Sequence, residues 1–324
     1  MSPRKRIVLI GGGTGTSTIL SGLQTKPVHI TALISVADSG GSTGRLRDEF
    51  GFQPVGDLRQ SLAALAGSHN QEWIRKVLLY RFEKGTGLKG HNLGNLILTA
   101  LQDMAGSTAD ALAITEKVFR LRGEILPVTE HTVDLVIHYT DGSFVVGEDN
   151  LNSCIDGKQV ESVKLHPSAP LFHKANKALI DADMIVIGPG DYFGSVMPAL
   201  IVEGMKNAFS QVKGKVVFIV NLMTRHNQTH QWNVSRHLEG IELAIGKKVD
   251  YIIVNTGKIP QNILDTYAKE DEYPVVHDME KEKRCIEGNF VVQDHMGKHG
   301  ADILRRSLLR HDPDKIANIL MEYL

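Results

Sequence analysis

Five short stretches of the chain are almost wholly apolar and rich in β-branched side chains. Residues 7–10, 184–187, 216–220 and 251–254 contain no charged residue, and 30–36 is interrupted only by Thr31 and Ser35. Runs this short, bounded by Gly or polar residues, mark strands buried on both faces of a parallel sheet. Between them the period lengthens. Apolar residues recur three to four apart over 58–66, 72–82, 92–104 and 109–122. This predicts amphipathic helices and a helix-rich insertion, about 44–122, between the second strand and the next sheet element. Residues 133–139 and 143–147 flank Thr140-Asp141-Gly142. Asp-Gly between alternating runs predicts a β-hairpin, expected as an antiparallel addition to the main sheet. Further helices are predicted over 169–182, 198–209 and 313–323, the last with Asp312 as N-cap and Pro313 as its first residue.

This alternation predicts an α/β protein. No low-complexity linker, repeat or run of like charge divides the chain, so a single domain, 1–324, is expected. That length buries a sufficient core without covalent staples. With 36 Lys and Arg against 37 Asp and Glu the formal charge is −1. The basic surplus of phosphate-backbone binding is missing, and nucleic acid is not an expected partner. Cys154 and Cys285 stand far apart with no paired spacing, which fits a reducing compartment and neither a disulfide framework nor a zinc site. The apolar run after Arg4-Lys5-Arg6 is too short for a signal peptide, and no run approaches the ~20 residues of a membrane span. A cytoplasmic protein without membrane insertion is expected.

The first strand runs into Gly11-Gly12-Gly13-Thr14-Gly15 and a helix that starts among hydroxyl residues. Glycines admit a ligand close to the backbone, and the N–H groups of a helix start attract phosphate oxygens. The turn is neither standard cradle. Thr16 stands where the dinucleotide fingerprint G-x-G-x-x-G has its last glycine, and no Lys-Ser or Lys-Thr closes a triphosphate P-loop. A second glycine turn, Asp38-Ser39-Gly40-Gly41-Ser42-Thr43-Gly44-Arg45, follows the second strand and suits an oxygen-rich ligand or a hydrated magnesium held by Asp38. Asp38 also lies about where a ribose-binding acid would stand, which keeps a nicotinamide-dependent reading open.

Asp57, in Gly56-Asp57-Leu58-Arg59, reads equally well as a helix N-cap and as a functional acid. His91, Asn92 and Asn95 crowd a helix start with residues of low propensity, which an anion or a capping turn would explain. Three later strands end in Gly188-Pro189-Gly190-Asp191, Asn221-Leu222-Met223-Thr224 and Asn255-Thr256-Gly257, at the edge where open parallel sheets bind ligands. No Ser-His-acid triad or reactive Cys can be assembled. His226, His230 and His237 lack the spacing of a metal site.

Taken in order, several phrases resemble the gluconeogenesis factor family over nearly the whole chain. They are Ile10-Gly11-Gly12-Gly13-Thr14-Gly15, the stretch from Val36 to Asp48, Gly56-Asp57-Leu58-Arg59 and His91-Asn92-Leu93-Gly94-Asn95. Arg122-Gly123-Glu124-Ile125-Leu126-Pro127, Ile187-Gly188-Pro189-Gly190, Asn221-Leu222-Met223-Thr224 and Arg310-His311-Asp312-Pro313 continue the match. That family is similar to the 2-phospho-L-lactate transferases, CofD-like proteins with a Rossmann-like, three-layer α/β/α fold. The resemblance implies a cytoplasmic bacterial protein that binds UDP-sugars such as UDP-N-acetylglucosamine or UDP-glucose. It further implies support of cell shape and envelope precursor supply during growth on gluconeogenic carbon. A regulator is then expected more than a catalyst, with a protein partner in amino-sugar synthesis and a homo-oligomer as candidate associations.

Carried over motif by motif, phosphate contacts fall on Gly12, Gly13, Thr14 and Gly15 and on Gly188, Pro189 and Gly190, with Asp38, Asn92, Asn95 and Asn221 beside the ligand. Gly11, Ser39, Gly40, Gly41, Ser42, Asp57, His91, Thr224 and Arg310 complete the expected site. Two stretches depart from the family pattern, Asp191-Tyr192-Phe193-Gly194-Ser195 and Arg225-His226-Asn227-Gln228-Thr229. Both border the expected crevice, where the sugar or base would lie. The alternative activity is a phosphotransferase that uses a nucleotide-diphosphate donor and magnesium, with Asp38, Asp57 and the two glycine turns holding the diphosphate.

Overall fold

The computed structural model describes residues 4–66, 71–151, 158–292 and 308–324; Cys154 lies outside them. In chain order, strand β1 (Arg6–Gly11) leads through helix α1 (Gly13–Leu23) to β2 (His29–Ile34). Five helices follow: α2 (Gly41–Phe50), α3 (Gly56–Leu65), α4 (Glu72–Leu79), α5 (Leu93–Ala105) and α6 (Thr108–Phe119). Next come strands β3 (Glu124–Pro127), β4 (Asp134–Tyr139) and β5 (Phe144–Val146), a 3-10 turn (Glu148–Leu151) and β6 (Val160–His166). Helix α7 (His173–Ile180) precedes β7 (Met184–Ile187), a π-helical turn (Tyr192–Val196), α8 (Met197–Leu200), α9 (Met205–Gln211) and β8 (Lys215–Ile219). The chain ends with α10 (Val234–Ile245), β9 (Tyr251–Asn255), α11 (Gln261–Ala268), β10 (Cys285–Gly288) and α12 (Pro313–Tyr323).

All five apolar runs are strands of one seven-stranded parallel sheet, in the order β10-β9-β8-β7-β1-β2-β3. Ile10 at its centre pairs with Leu33 on one side and Ile187 on the other. These three side chains and their neighbours along the strands are buried on both faces, which is why the runs carry no polar alternation. Helices flank the sheet: α1 packs between α3 and α12, while α7 packs on α9 and α10 on α8. From β1 the chain proceeds to β2 and then β3 on one side; it later returns to β7, beside β1 again, and proceeds to β8, β9 and β10 on the other. The connections leaving β1 and β7 therefore diverge, and an open parallel sheet forms its ligand crevice at such a switch point.

The hairpin is not an addition to the main sheet. β4 and β5 form a separate antiparallel sheet with β6, in the order β5-β4-β6. β6 escapes sequence reading because its apolar alternation is broken where the register slips opposite His138 and Tyr139. The helix expected over 169–182 starts only at His173, and that expected over 198–209 is divided into α8 and α9. One contact accounts for both: Leu171 N–H donates to the Glu203 carbonyl and Glu203 N–H to Ala169, pulling both segments out of helix. Helix α10 has Gly240 at its middle, a poor helix former; a β-carbon there would overlap the Tyr192 hydroxyl. Among the described residues no helix is long and apolar enough to cross a membrane.

Candidate functional site

At the switch point the turns after β1 and β7 press together. Gly12 caps α1 with extended backbone and no side-chain cap, and Gly13 enters the helix at φ +63, a conformation that favours glycine. A β-carbon on Gly15 would overlap the Pro189 carbonyl, and one on Gly190 would stand 3.3 Å from the Gly12 carbonyl oxygen. Gly15 admits no side chain while the β7 turn stays in place, and Gly190 leaves only a tight fit. Between them opens a crevice of about 350 Å³, lined by Gly13, Thr14 and Gly15 from one turn and by Pro189 and Gly190 from the other. Asn221, Thr224, Arg310 and His311 complete its rim. Asn221 Nδ2 donates to the Gly190 carbonyl at 2.8 Å, tying the end of β8 to the β7 turn. With no acidic residue in its first turn, α1 directs N–H groups and the positive end of its dipole toward this space.

One wall is acidic. Asp57, at the start of α3, takes hydrogen bonds from the Gly13 N–H and from Ser195 Oγ, the latter at 3.4 Å. Burial, and then the charge of Asp38, nevertheless push its carboxyl up to about 7. Asp38 is also raised, chiefly by burial, although it accepts the Gly40 N–H at 3.0 Å. Glu148 is pushed up to about 9 by burial and by the charges of Asp38, Asp191, Asp57 and Asp149. At neutral pH Glu148 is therefore protonated and Asp57 stands near its midpoint.

The same crevice holds a cation. Arg225 Nη1 binds Asp191 Oδ2 at 2.6 Å, while its Nε lies 3.6 Å from Glu272. Asp191 also caps the π-helical turn by accepting the Gly194 N–H at 2.9 Å. His311 is buried, with no partner for Nε2 among the described residues, and burial holds its imidazole down at about 4 against a hydrogen bond with the Val220 backbone. It is neutral at neutral pH.

Not every expected residue lines this crevice. Asn92 is the N-cap of α5, accepting the Asn95 N–H at 3.2 Å. Asn95 accepts from Arg59 Nε at 2.7 Å and donates to Ser42 and Thr43. Ser42 Oγ also accepts the Asn92 N–H at 3.2 Å and meets His91 Nδ1 at 3.3 Å. These four residues form a polar joint between α2 and α5. Ser39 Oγ accepts the Asp149 N–H, a β-carbon on Gly40 would overlap the Asp149 carboxylate, and Gly41, at φ +53, faces open space. The joint is nevertheless one step from the crevice, because Thr43 reaches Asp38. Thr224 binds the Tyr273 backbone in both directions.

Asp191, Ser195 and Arg225 also line the crevice and lie in the two stretches that depart from the family pattern, which is the sequence signal for them; Glu148 and Glu272 line it without belonging to any motif. Glu148 gives no such signal, since it is brought in by the small antiparallel sheet.

The family model described as 2-phospho-L-lactate transferase CofD matches residues 7–295. The gluconeogenesis factor of Bacillus subtilis (strain 168) is 36% identical over 327 residues, covering 100% of this chain and 99% of that protein. The gluconeogenesis factor of Halalkalibacterium halodurans is 37% identical over 322 residues, covering 98% and 96%. An X-ray crystal structure of a Bacillus halodurans protein superposes with a TM-score of 0.89 at 36% identity, covering 98% of this chain and 100% of that one. With a model match over most of its length and relatives aligned nearly end to end, the chain belongs to the CofD family and, within it, to the gluconeogenesis factors.

Proposed function

We propose that the switch-point crevice binds a nucleotide diphosphosugar, UDP-N-acetylglucosamine or UDP-glucose, and that the protein acts as a cytoplasmic regulator of cell shape and envelope precursor supply. The observation that carries this is the pair of interlocked glycine turns, which leaves backbone N–H groups at the start of α1 facing a small cleft. Such a surface suits a diphosphate. The neighbouring Asn221, Thr224 and Arg310 offer donors for a sugar or base. Thermal unfolding with each nucleotide sugar tests the reading. Ligand at 100 times its dissociation constant adds about 2.7 kcal/mol of stability, so the midpoint should rise by several degrees. No rise with either sugar at millimolar concentration would overturn it.

A second reading, phosphoryl-type transfer with magnesium, is favoured by the carboxylates of Asp38 and Asp57. The charge of Asp38 helps to raise Asp57, so the two carboxylates lie near each other. Magnesium keeps several waters and takes one or two carboxylates together with phosphate oxygens, and these two residues fit that donor set. Among the described residues no cluster of three or more His, Cys, Asp or Glu is arranged for a metal, so an ion there would lean on the ligand's own phosphates. Magnesium-dependent release of nucleotide in the presence of a deazaflavin acceptor would establish this reading, and its absence would remove it.

A further inference from the structure

Beside the crevice lies a second, larger cavity of about 1110 Å³, between the outer face of α1 and the segment from α4 to Lys84. The two share Thr14, Thr18, Gln60 and Arg310. Their charge differs in sign. Six Lys or Arg line the larger cavity against the single acid Glu83, whereas the crevice has four acids and two arginines. Lys76 is paired with Glu72 at 2.7 Å. Arg81 donates to the Gly90 carbonyl, and among the described residues neither Arg81 nor Lys84 is paired with a carboxylate.

The same cavity exposes flat apolar surface. Trp73 is 77% exposed and Tyr80 51% exposed, and Tyr80 is held edge-on against Phe82 at 5.1 Å. Large aromatic rings left in water within a concavity are a binding feature more often than an accident of composition. Aromatic faces interleaved with cations stack a planar ring while neutralising its phosphate. The hydroxyls of Ser17, Thr18 and Ser21 along α1 donate back to the carbonyls of Gly13, Thr14 and Thr18, leaving their oxygens as acceptors toward the cavity.

We propose that this cavity is a second ligand site, for a phosphorylated molecule with a planar aromatic ring, of the mononucleotide class. It is distinct from the nucleotide-sugar crevice, and the two open to each other across Thr14 and Thr18. Trp73 reports on it directly. In wild-type protein, AMP is expected to quench tryptophan fluorescence saturably, with half-saturation below about 1 mM, an ordinary affinity for a small ligand. Trp73→Phe, which keeps Trp232 as the only tryptophan, should lose the quench. Lys84→Glu, and Arg81→Glu with Lys84→Glu, should weaken binding, the double variant by about tenfold. Adenosine and ribose 5-phosphate, each half of the probe, should bind more weakly than AMP.

The readout is local, so the crevice reading is judged separately, by UDP-N-acetylglucosamine stabilisation of the same variants. That stabilisation should be unchanged by the substitutions. If it fails in all proteins while the quench persists, only the crevice reading falls. The second site is overturned by absence of saturable quenching up to about 5 mM, near the weak limit of specific binding. It is equally overturned by undiminished quenching in the charge-reversed variants, or by quenching from an acidic peptide and not from AMP.

Discussion

Gly15 and Pro189 lie so close that a single methyl group on the glycine would occupy the position of the Pro189 carbonyl. They are 174 positions apart in the chain, and their contact locks the turn after β1 to the turn after β7. Gly15→Ala must push backbone away from backbone, a distortion that costs about 1–3 kcal/mol and widens the crevice. The expected outcome is a lower melting temperature together with loss of stabilisation by nucleotide sugar. Gly41→Ala is the control, since a β-carbon there meets nothing within 4 Å. It should cost about 1 kcal/mol, for its positive φ alone, and leave ligand binding intact. Circular dichroism melts with and without UDP-N-acetylglucosamine compare the two.

The acidic wall makes stability depend on pH. Asp57 and Glu148 have folded pKa values of about 7 and about 9, raised from 3.8 and 4.5. The folded protein therefore holds protons that the unfolded chain has released, and stability falls as pH rises through those windows. His311, held down at about 4 from 6.5, acts in the opposite sense, adding stability as pH rises from about 4 to 6.5. Above pH 6.5 only the carboxyls remain, so the ligand-free protein should lose stability steadily toward pH 9. Glu148→Gln should flatten this limb and stabilise the protein at pH 9 by on the order of 1 kcal/mol or more, the worth of one pH unit of altered ionisation. Urea midpoints measured from pH 6 to 9 provide the check; a flat profile for the unsubstituted protein would contradict it.

Much of this arrangement was legible in the chain, for identifiable reasons. Strands such as 184–187 are buried on both faces, so continuous apolarity is enough to reveal them. The glycine turns could be read because close approach of backbone to backbone excludes every other residue, as at Gly15. What was not legible depends on contacts distant in sequence. Gly240 reads as an interruption until Tyr192 is placed against it, and Glu148 is an ordinary surface acid until the small sheet turns it toward Asp38 and Asp57. In the sequence Asn92 and Asn95 suit a ligand and a cap alike, and only packing against α2 separates the two.

That separation can be measured. Asn92 accepts the Asn95 N–H and is almost fully buried at 1% exposure. Asn92→Ala should lower stability by about 1 kcal/mol, the typical worth of an N-cap side chain. If capping is its whole role, the dissociation constant for UDP-N-acetylglucosamine should stay within about twofold, a difference of less than 0.5 kcal/mol. A large loss of affinity in a protein that melts normally would instead assign Asn92 to the ligand.

The pair Asp191 and Arg225 supplies the last test, because it joins the two stretches where this chain departs from the family pattern. The ion pair, 2.6 Å long with both side chains largely covered, ties the π-helical turn after β7 to the loop after β8. Removing either partner leaves the other charge in a poorly solvated place. Arg225→Ala strands Asp191 and Glu272 together, adding negative charge beside the raised Glu148, so it should cost more than Asp191→Asn. Asp191→Asn keeps an acceptor for the Gly194 N–H and loses only the ionic part. The two changes should not add. A double-mutant cycle by urea unfolding is expected to return a coupling of at least about 1 kcal/mol, typical of residues in direct contact. Additive costs would mean that the loops are held in place by their backbone contacts and not by this pair.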